Sequence, residues 1–228
     1  MPSVNRDSSI TASAFLTTRR HNLLWYLLFA LLLTNSTGCK KIMLWSYGIK
    51  SPSLESEQSL KDYLSKLGLE SENLYVLRDT NDLNTLINKV QSFPDAFFFN
   101  AQKQYVPYRA KPSDCNAGVV DFTKDMANLG SKAIDTSYQF SFFQDKMRSL
   151  PGLQPVDSIA MSGKDAYVFL MWATYYGKLN ETKVLNWVKH IHEAQQAGVN
   201  VGYYLISCDY IKDWGIKQED IPVLELAE

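Results

Sequence analysis

An excess of charge of either sign is the first thing this chain lacks. Its 23 Lys and Arg stand against 24 Asp and Glu, leaving a formal net charge of −1. No basic stripe runs along it, so it has no footprint for a nucleic-acid backbone, and nucleic acid is not an expected partner. Cysteine is scarce, with only Cys39, Cys115 and Cys208, and none sits in the Cys-x-x-Cys spacing that gives a lowered-pKa thiol its resolving partner. Histidine is equally rare. His190 and His192 are two apart on an expected helix and point to different sides, which argues for a solvated face over a shared metal site. There is no Gly-rich phosphate loop and no nucleophile elbow. The carboxylates Glu55, Glu57 and Asp62, or Glu219 and Asp220, read as helix starts and surface, with no spacing that selects an acid/base pair. No metal or other cofactor is therefore expected. Long apolar runs are missing too, except one near the N-terminus, Leu23 to Leu33, which is shorter than the roughly 20 residues of a spanning helix.

That run sits in an ordered context. Arg19 and Arg20 precede it, and Ser36-Thr37-Gly38-Cys39 follows. A positive segment, an apolar stretch and small residues before a cysteine form an export pattern. The segment resembles a bacterial lipoprotein signal, which implies a signal peptide over 1–38 and a fatty-acyl chain on Cys39 as the first mature residue. Ser36 stands where that pattern usually has an aliphatic residue, so cleavage by an ordinary signal peptidase is the alternative. The Arg pair resembles a twin-arginine signal, but Asn22 departs from it, which favours unfolded export by the general route. Lys40 and Lys41 occupy the place of an inner-membrane retention signal of the Asp type. By that likeness the expected location is the cell envelope, anchored by lipid to the outer membrane and facing the periplasm. The basic pair also suits anionic headgroups.

Past the signal remain roughly 190 residues of ordinary globular composition, enough for one large or two small domains. Ile42 to Tyr47 reads as a buried strand. A helix follows on Leu54, Leu60, Tyr63, Leu64 and Leu67, with Ser51 and Ser53 as available caps and Gly68 as its stop. Asn73 to Leu77 reads as a strand, Asp79-Thr80-Asn81 as a capping cluster, and Leu83, Leu86, Ile87 and Val90 as a helical stripe. Pro94 introduces a hairpin of Ala96–Phe99 and Tyr105–Tyr108, with Pro107 on an edge. Val119, Phe122, Met126 and Leu129 mark another helix. Residues 130–164 read as a connector with an aromatic patch, Tyr138, Phe140, Phe142 and Phe143, that suits the inner face of a strand or a binding surface. Tyr167–Trp172 is an apolar strand, Val184 to Ala194 a helix ended by Gly198, and Val199–Ile206 a strand closing on Ser207-Cys208-Asp209. Asn180-Glu181-Thr182 reads as a helix cap.

The order strand, helix, strand, helix, proline, hairpin, helix over 39–129 resembles the thioredoxin fold, and Pro94 stands where that family has a cis-proline. The passage over 165–228, with Trp172-Ala173-Thr174, a turn, a helix, a strand and then Asp209, resembles the opening half of a membrane-tethered thiol oxidoreductase of the same family. The expected class is thus a three-layer α/β/α thioredoxin-like fold, a full unit followed by a partial one that is truncated or borrows strands from the earlier segment. In that likeness Tyr176 and Leu179 occupy the two cysteine positions. The resemblance then implies a redox-inactive binding or scaffold module for an envelope protein partner, with loops 48–53 and 175–180 as its surface. The alternative is a thiol–disulfide oxidoreductase using Cys115 and Cys208. For these two residues, a disulfide or two free thiols both fit the sequence.

Overall fold

The computed structural model describes residues 44–90, 92–111, 114–157 and 161–222. Cys39 and the signal segment lie outside them. The chain divides into two units, one of Met1–Ser46 with Glu225–Glu228 and one of Tyr47–Leu224. In the first, the described residues 44–46 form a helical turn, where a buried strand was expected.

The second unit is a mixed α/β structure. Strand β1 (Leu54–Glu55) precedes helix α1 (Glu57–Lys66), whose cap is Ser56, not Ser51 or Ser53: its hydroxyl accepts from the Ser59 amide at 3.2 Å. Strand β2 (Leu74–Leu77) leads to α2 (Thr80–Ile87), where Asp79 accepts from the Asp82 amide at 2.9 Å as the spacing predicts. The hairpin is β3 (Asp95–Asn100) and β4 (Gln104–Val106), followed by α3 (Val119–Lys124). The expected connector is not one. It contributes β5 (Asp135–Gln139), α4 (Phe140–Gln144), β6 (Met147–Ser149) and β7 (Gln154–Pro155). Strand β8 (Ala166–Trp172), α5 (Leu185–Gln196) and β9 (Val201–Ser207) come next, and β10 (Tyr210–Ile211) pairs with β1.

Eight strands form one sheet in the order β5-β4-β3-β8-β9-β2-β6-β7. The centre, β8-β9-β2, is parallel, while β3 runs antiparallel to β8 over six paired positions, Asp95↔Met171 to Asn100↔Ala166. Strands of the two expected successive units therefore interleave in a single sheet, the second segment completing its sheet with the first. Because β4 is covered by β5, Pro107 does not lie beside an edge strand.

Period-two alternation sends the side chains of each central strand to opposite faces. Ala96, Phe98, Val168, Leu170 and Trp172 pack with Leu60 and Leu64 of α1, Val119 of α3, and Trp187, Val188 and Ile191 of α5. Phe97, Phe99, Phe169 and Met171 pack with Leu83 and Leu86 of α2 and Phe140 and Phe143 of α4. Both faces of β8 are buried, which explains why its sequence is apolar throughout and does not alternate. The aromatic patch is split between β5 and a short helix, and its rings complete the second core: Phe143 stacks on Phe169 with centroids 4.8 Å apart. Trp214, beyond the last strand, is tied back to the sheet, its indole nitrogen donating to the Leu77 carbonyl at 3.1 Å.

Candidate functional site

Strands β8 and β9 end, and the antiparallel β3 begins, at the same margin of the sheet, since Met171 is paired with both Asp95 and Ile206. The carboxyl ends of parallel strands are where open α/β sheets leave room for ligands. Two loops meet there, residues 173–178 and residues 92–94.

The first loop is held on three sides. Behind it, the buried Asp209 carboxylate accepts from the Thr174 amide at 3.0 and 3.1 Å, from the Thr174 hydroxyl at 2.7 Å and from the Ser207 hydroxyl at 2.8 Å. Burial pushes the Asp209 carboxyl up to about 7, against the downward pull of those donors, and nearby Glu55 adds to the rise. Below it, Asn180 is fully buried and donates to the Ala173 carbonyl at 2.7 Å and to the Tyr63 hydroxyl at 2.9 Å, so this residue ties the loop to α1 and does not cap a helix. Tyr63 in turn stacks on Trp172, with ring centroids 5.6 Å apart. On the third side Lys50 donates from its backbone to the Tyr175 carbonyl, and Lys178 to that of Tyr47, both at 2.9 Å. Gly177 lies under this crossing with φ +51°, and a Cβ there would stand 2.5 Å from the Gly48 carbonyl oxygen. The helix after the loop opens with a wide π turn, Asn180–Val184, before α5. Such turns mark positions where a helix is bent to present a site.

The second loop carries Phe93 and Pro94, whose connecting peptide is cis. Asn116 donates to the Pro94 carbonyl and accepts from the Lys183 ammonium on the π turn, linking the loop to α5. Next to it, Asp95 is fully buried, accepts from Tyr108 at 2.5 Å and pairs with Arg109 at 2.9 Å. Burial raises its carboxyl above the ordinary range even with Tyr108 and Arg109 pulling down.

The loops touch through their aromatic side chains. Phe93 and Tyr176 stack with centroids 5.4 Å apart and planes 2° from parallel, and Tyr175 lies 4.7 Å from Tyr176. All three rings are half-buried, with Lys50 and Lys178 exposed beside them. Burial pushes the Tyr176 phenol up to about 12, so at neutral pH it is an uncharged hydrogen-bonding group. Leu179 adds no reactive atom. This arrangement offers an aromatic platform of one phenyl and two phenol rings with exposed lysines beside it, suited to binding an apolar side chain.

The two remaining cysteines are free. Cys115 is exposed; Cys208 is fully buried, and burial first, with Asp209 second, pushes its thiol well above the usual range. It remains a protonated, inaccessible thiol at neutral pH. His190 contacts Glu193 at 2.8 Å and His192 contacts Tyr203 at 3.0 Å, so each imidazole has a partner of its own. Glu57 pairs with Lys61 at 2.6 Å, and Asp220 accepts from the Lys217 amide at 2.9 Å, the structural roles their positions suggest. Among the described residues no helix is long and apolar enough to cross a membrane, and no cluster of three or more metal-ligating side chains occurs.

Sequence reasoning placed Pro94, Tyr176 and the 48–53 and 175–180 loops, and they meet. It missed Phe93, Asn116, Asn180 and Asp209 as the parts that hold them together. An acidic residue two positions past a buried strand, as Asp209 is, was the one available signal. No family model, curated protein or solved structure matches the chain.

Proposed function

We propose that the protein is a lipid-anchored binding module of the cell envelope, built on a thioredoxin-like sheet whose two halves occur in exchanged chain order. In this reading β3-β4-α3 supplies the hairpin half and β8-α5-β9 the strand-helix-strand half. The neighbour order β9-β8-β3-β4, parallel then antiparallel then antiparallel, supports it. The carrying observation is the Phe93–Tyr176 stack, which fills with two rings the place where the family's reactive sulfur faces its proline loop. A site of phenols, a phenyl ring and rim lysines attracts an apolar side chain with acidic neighbours and has no thiolate to exchange disulfides. The anchor rests on the signal-like residues before Cys39 and on Lys40 and Lys41 beside the acyl chain.

A photo-crosslinking residue at Tyr47, which is exposed next to the platform, tests this in intact cells. The expected result is a discrete envelope adduct that falls about tenfold in Tyr176→Ala, as loss of a central aromatic anchor requires. Insulin reduction by the purified protein is expected to stay at background. Turnover abolished by Cys115→Ser or Cys208→Ser would overturn the binding reading in favour of a thiol oxidoreductase.

A further inference from the structure

Away from the platform, a cleft of about 390 Å³ opens between β4, β5 and the end of α2. Its walls are Tyr105, Pro107 and Tyr138, and its polar groups are Lys89, Arg109 and Asp135. That volume and mixture suit a small ligand with an apolar body fixed by a few polar contacts. We infer that the cleft binds a small monoanion with a flat apolar body, of the aromatic carboxylate class, with Arg109 as its anchor.

The guanidinium is preorganised for the task. Its side chain is only 8% exposed, and Tyr108 lies under one face, 4.6 Å from ring centroid to guanidinium carbon. Nη2 is spent on Asp95 at 2.9 Å and Ser92 at 2.7 Å, and Nε on the Asp114 carbonyl at 2.8 Å. Among the described residues Nη1 has no hydrogen-bond partner, so it is the donor left for an occupant of the cleft that Arg109 lines. Hydrogen bonds from a fixed guanidinium to a carboxylate are among the stronger ones available. Asp95 already accepts from Tyr108 and Arg109, and its own strand amide at Ala96 bonds it at 2.8 Å, so it has little capacity to compete for a ligand's place. The ring walls meet edge to face, Tyr105 and Tyr138 with centroids 5.0 Å apart. Tyr138 is fixed by its hydroxyl, which donates to the Lys89 carbonyl at 2.7 Å. The Lys89 ammonium lies over the Phe142 ring, 4.3 Å from its centroid, so Arg109 is the cation that meets the ligand, whereas Asp135, ionised and held by the Ser137 amide, repels a second negative group. One free guanidinium donor beside that carboxylate selects a monoanion over a phosphate or dicarboxylate.

The test is titration of the purified chain with benzoate, its neutral counterpart benzyl alcohol, and phthalate, followed by calorimetry or ligand-observed NMR. Saturable benzoate binding at least about tenfold tighter than either competitor is expected, the margin a charge-assisted bond to a buried guanidinium supplies. Arg109→Lys, which keeps a cation for Asp95 but removes Nη1, is expected to lose about tenfold. Ala110→Trp, at an exposed position on the cleft wall, is expected to abolish binding while leaving the fold and the Tyr176 platform untouched. Equal affinity for benzoate and benzyl alcohol, or parental benzoate affinity in Ala110→Trp, overturns the assignment.

Discussion

At the scale of single residues, Asp209 makes its own contribution to the pH response of the fold. Its carboxyl titrates at about 7 in the folded chain against an ordinary 3.8, so the folded state holds its proton more tightly than the unfolded one. Below about pH 4 both states are protonated and the residue costs nothing. Between there and pH 7 the unfolded chain releases its proton first, so stability falls as pH rises, and the loss levels off above pH 7. The full penalty is on the order of 4 kcal/mol. In Asp209→Asn that penalty is gone, while the cost of imperfect bonds to Thr174 and Ser207 is the same at every pH. The stability difference between variant and parent, read from urea midpoints, is therefore expected to move in the variant's favour by a few kcal/mol from pH 4 to pH 8. A difference that does not change with pH would show that Asp209 is ionised and solvated. Little of this was legible in the sequence. Asp209 could be placed at a strand end, but the groups that act on its carboxyl include Thr174 and Glu55, which come from other parts of the chain.

Among the elements, the most constrained is the loop from Ala173 to Lys178, because backbone presses on it from outside. Gly177 has φ +51° and backbone oxygens of Tyr47 and Gly48 within 2.6 Å of where a Cβ would stand. Neither a rotamer change nor a flexible neighbour relieves such contacts. Gly177→Ala is expected to cost about 2–3 kcal/mol, from the disfavoured φ and the displaced crossing together. Loss of the crossing would be read as faster exchange of the Lys50 and Lys178 amides, whose acceptors are the Tyr175 and Tyr47 carbonyls. Parental stability and exchange would show that residues 47–50 do not sit across the loop. The longer elements were the legible ones: α1, α2, α5, β3, β8 and β9 overlap the apolar runs and stripes that announce them, although Leu54, expected on the first helix, lies in β1. Short elements were not. Phe140 and Phe143 are three apart and fill one face of a single helical turn, but in a run of alternating aromatics the same residues fit a strand.

The whole molecule departs furthest from its linear order. Local pattern specifies strands within residues 74–77, 95–100, 104–106, 166–172 and 201–207, yet it says nothing of which strands pair, because pairing depends on contacts between residues far apart in sequence. Here the strand after Pro94 finds its longest partner in β8, and β2 finds β9, so neither segment has a sheet of its own. A fragment ending at residue 129 keeps only the β3-β4 pairing among its strands, and a lone two-stranded hairpin is marginal in water. It also exposes Phe97, Phe98 and Phe99, which the intact sheet buries completely. Expressed alone, residues 47–129 are expected to show narrow amide dispersion and no cooperative urea transition. Mixing with residues 130–224 is expected to restore both, since the missing strands then arrive in trans. A fragment that folds by itself would establish a separate domain before residue 130 and contradict the interleaved sheet. If it stays unfolded and is rescued by its complement, the platform at Phe93 and Tyr176 is a site that neither half of the chain builds alone.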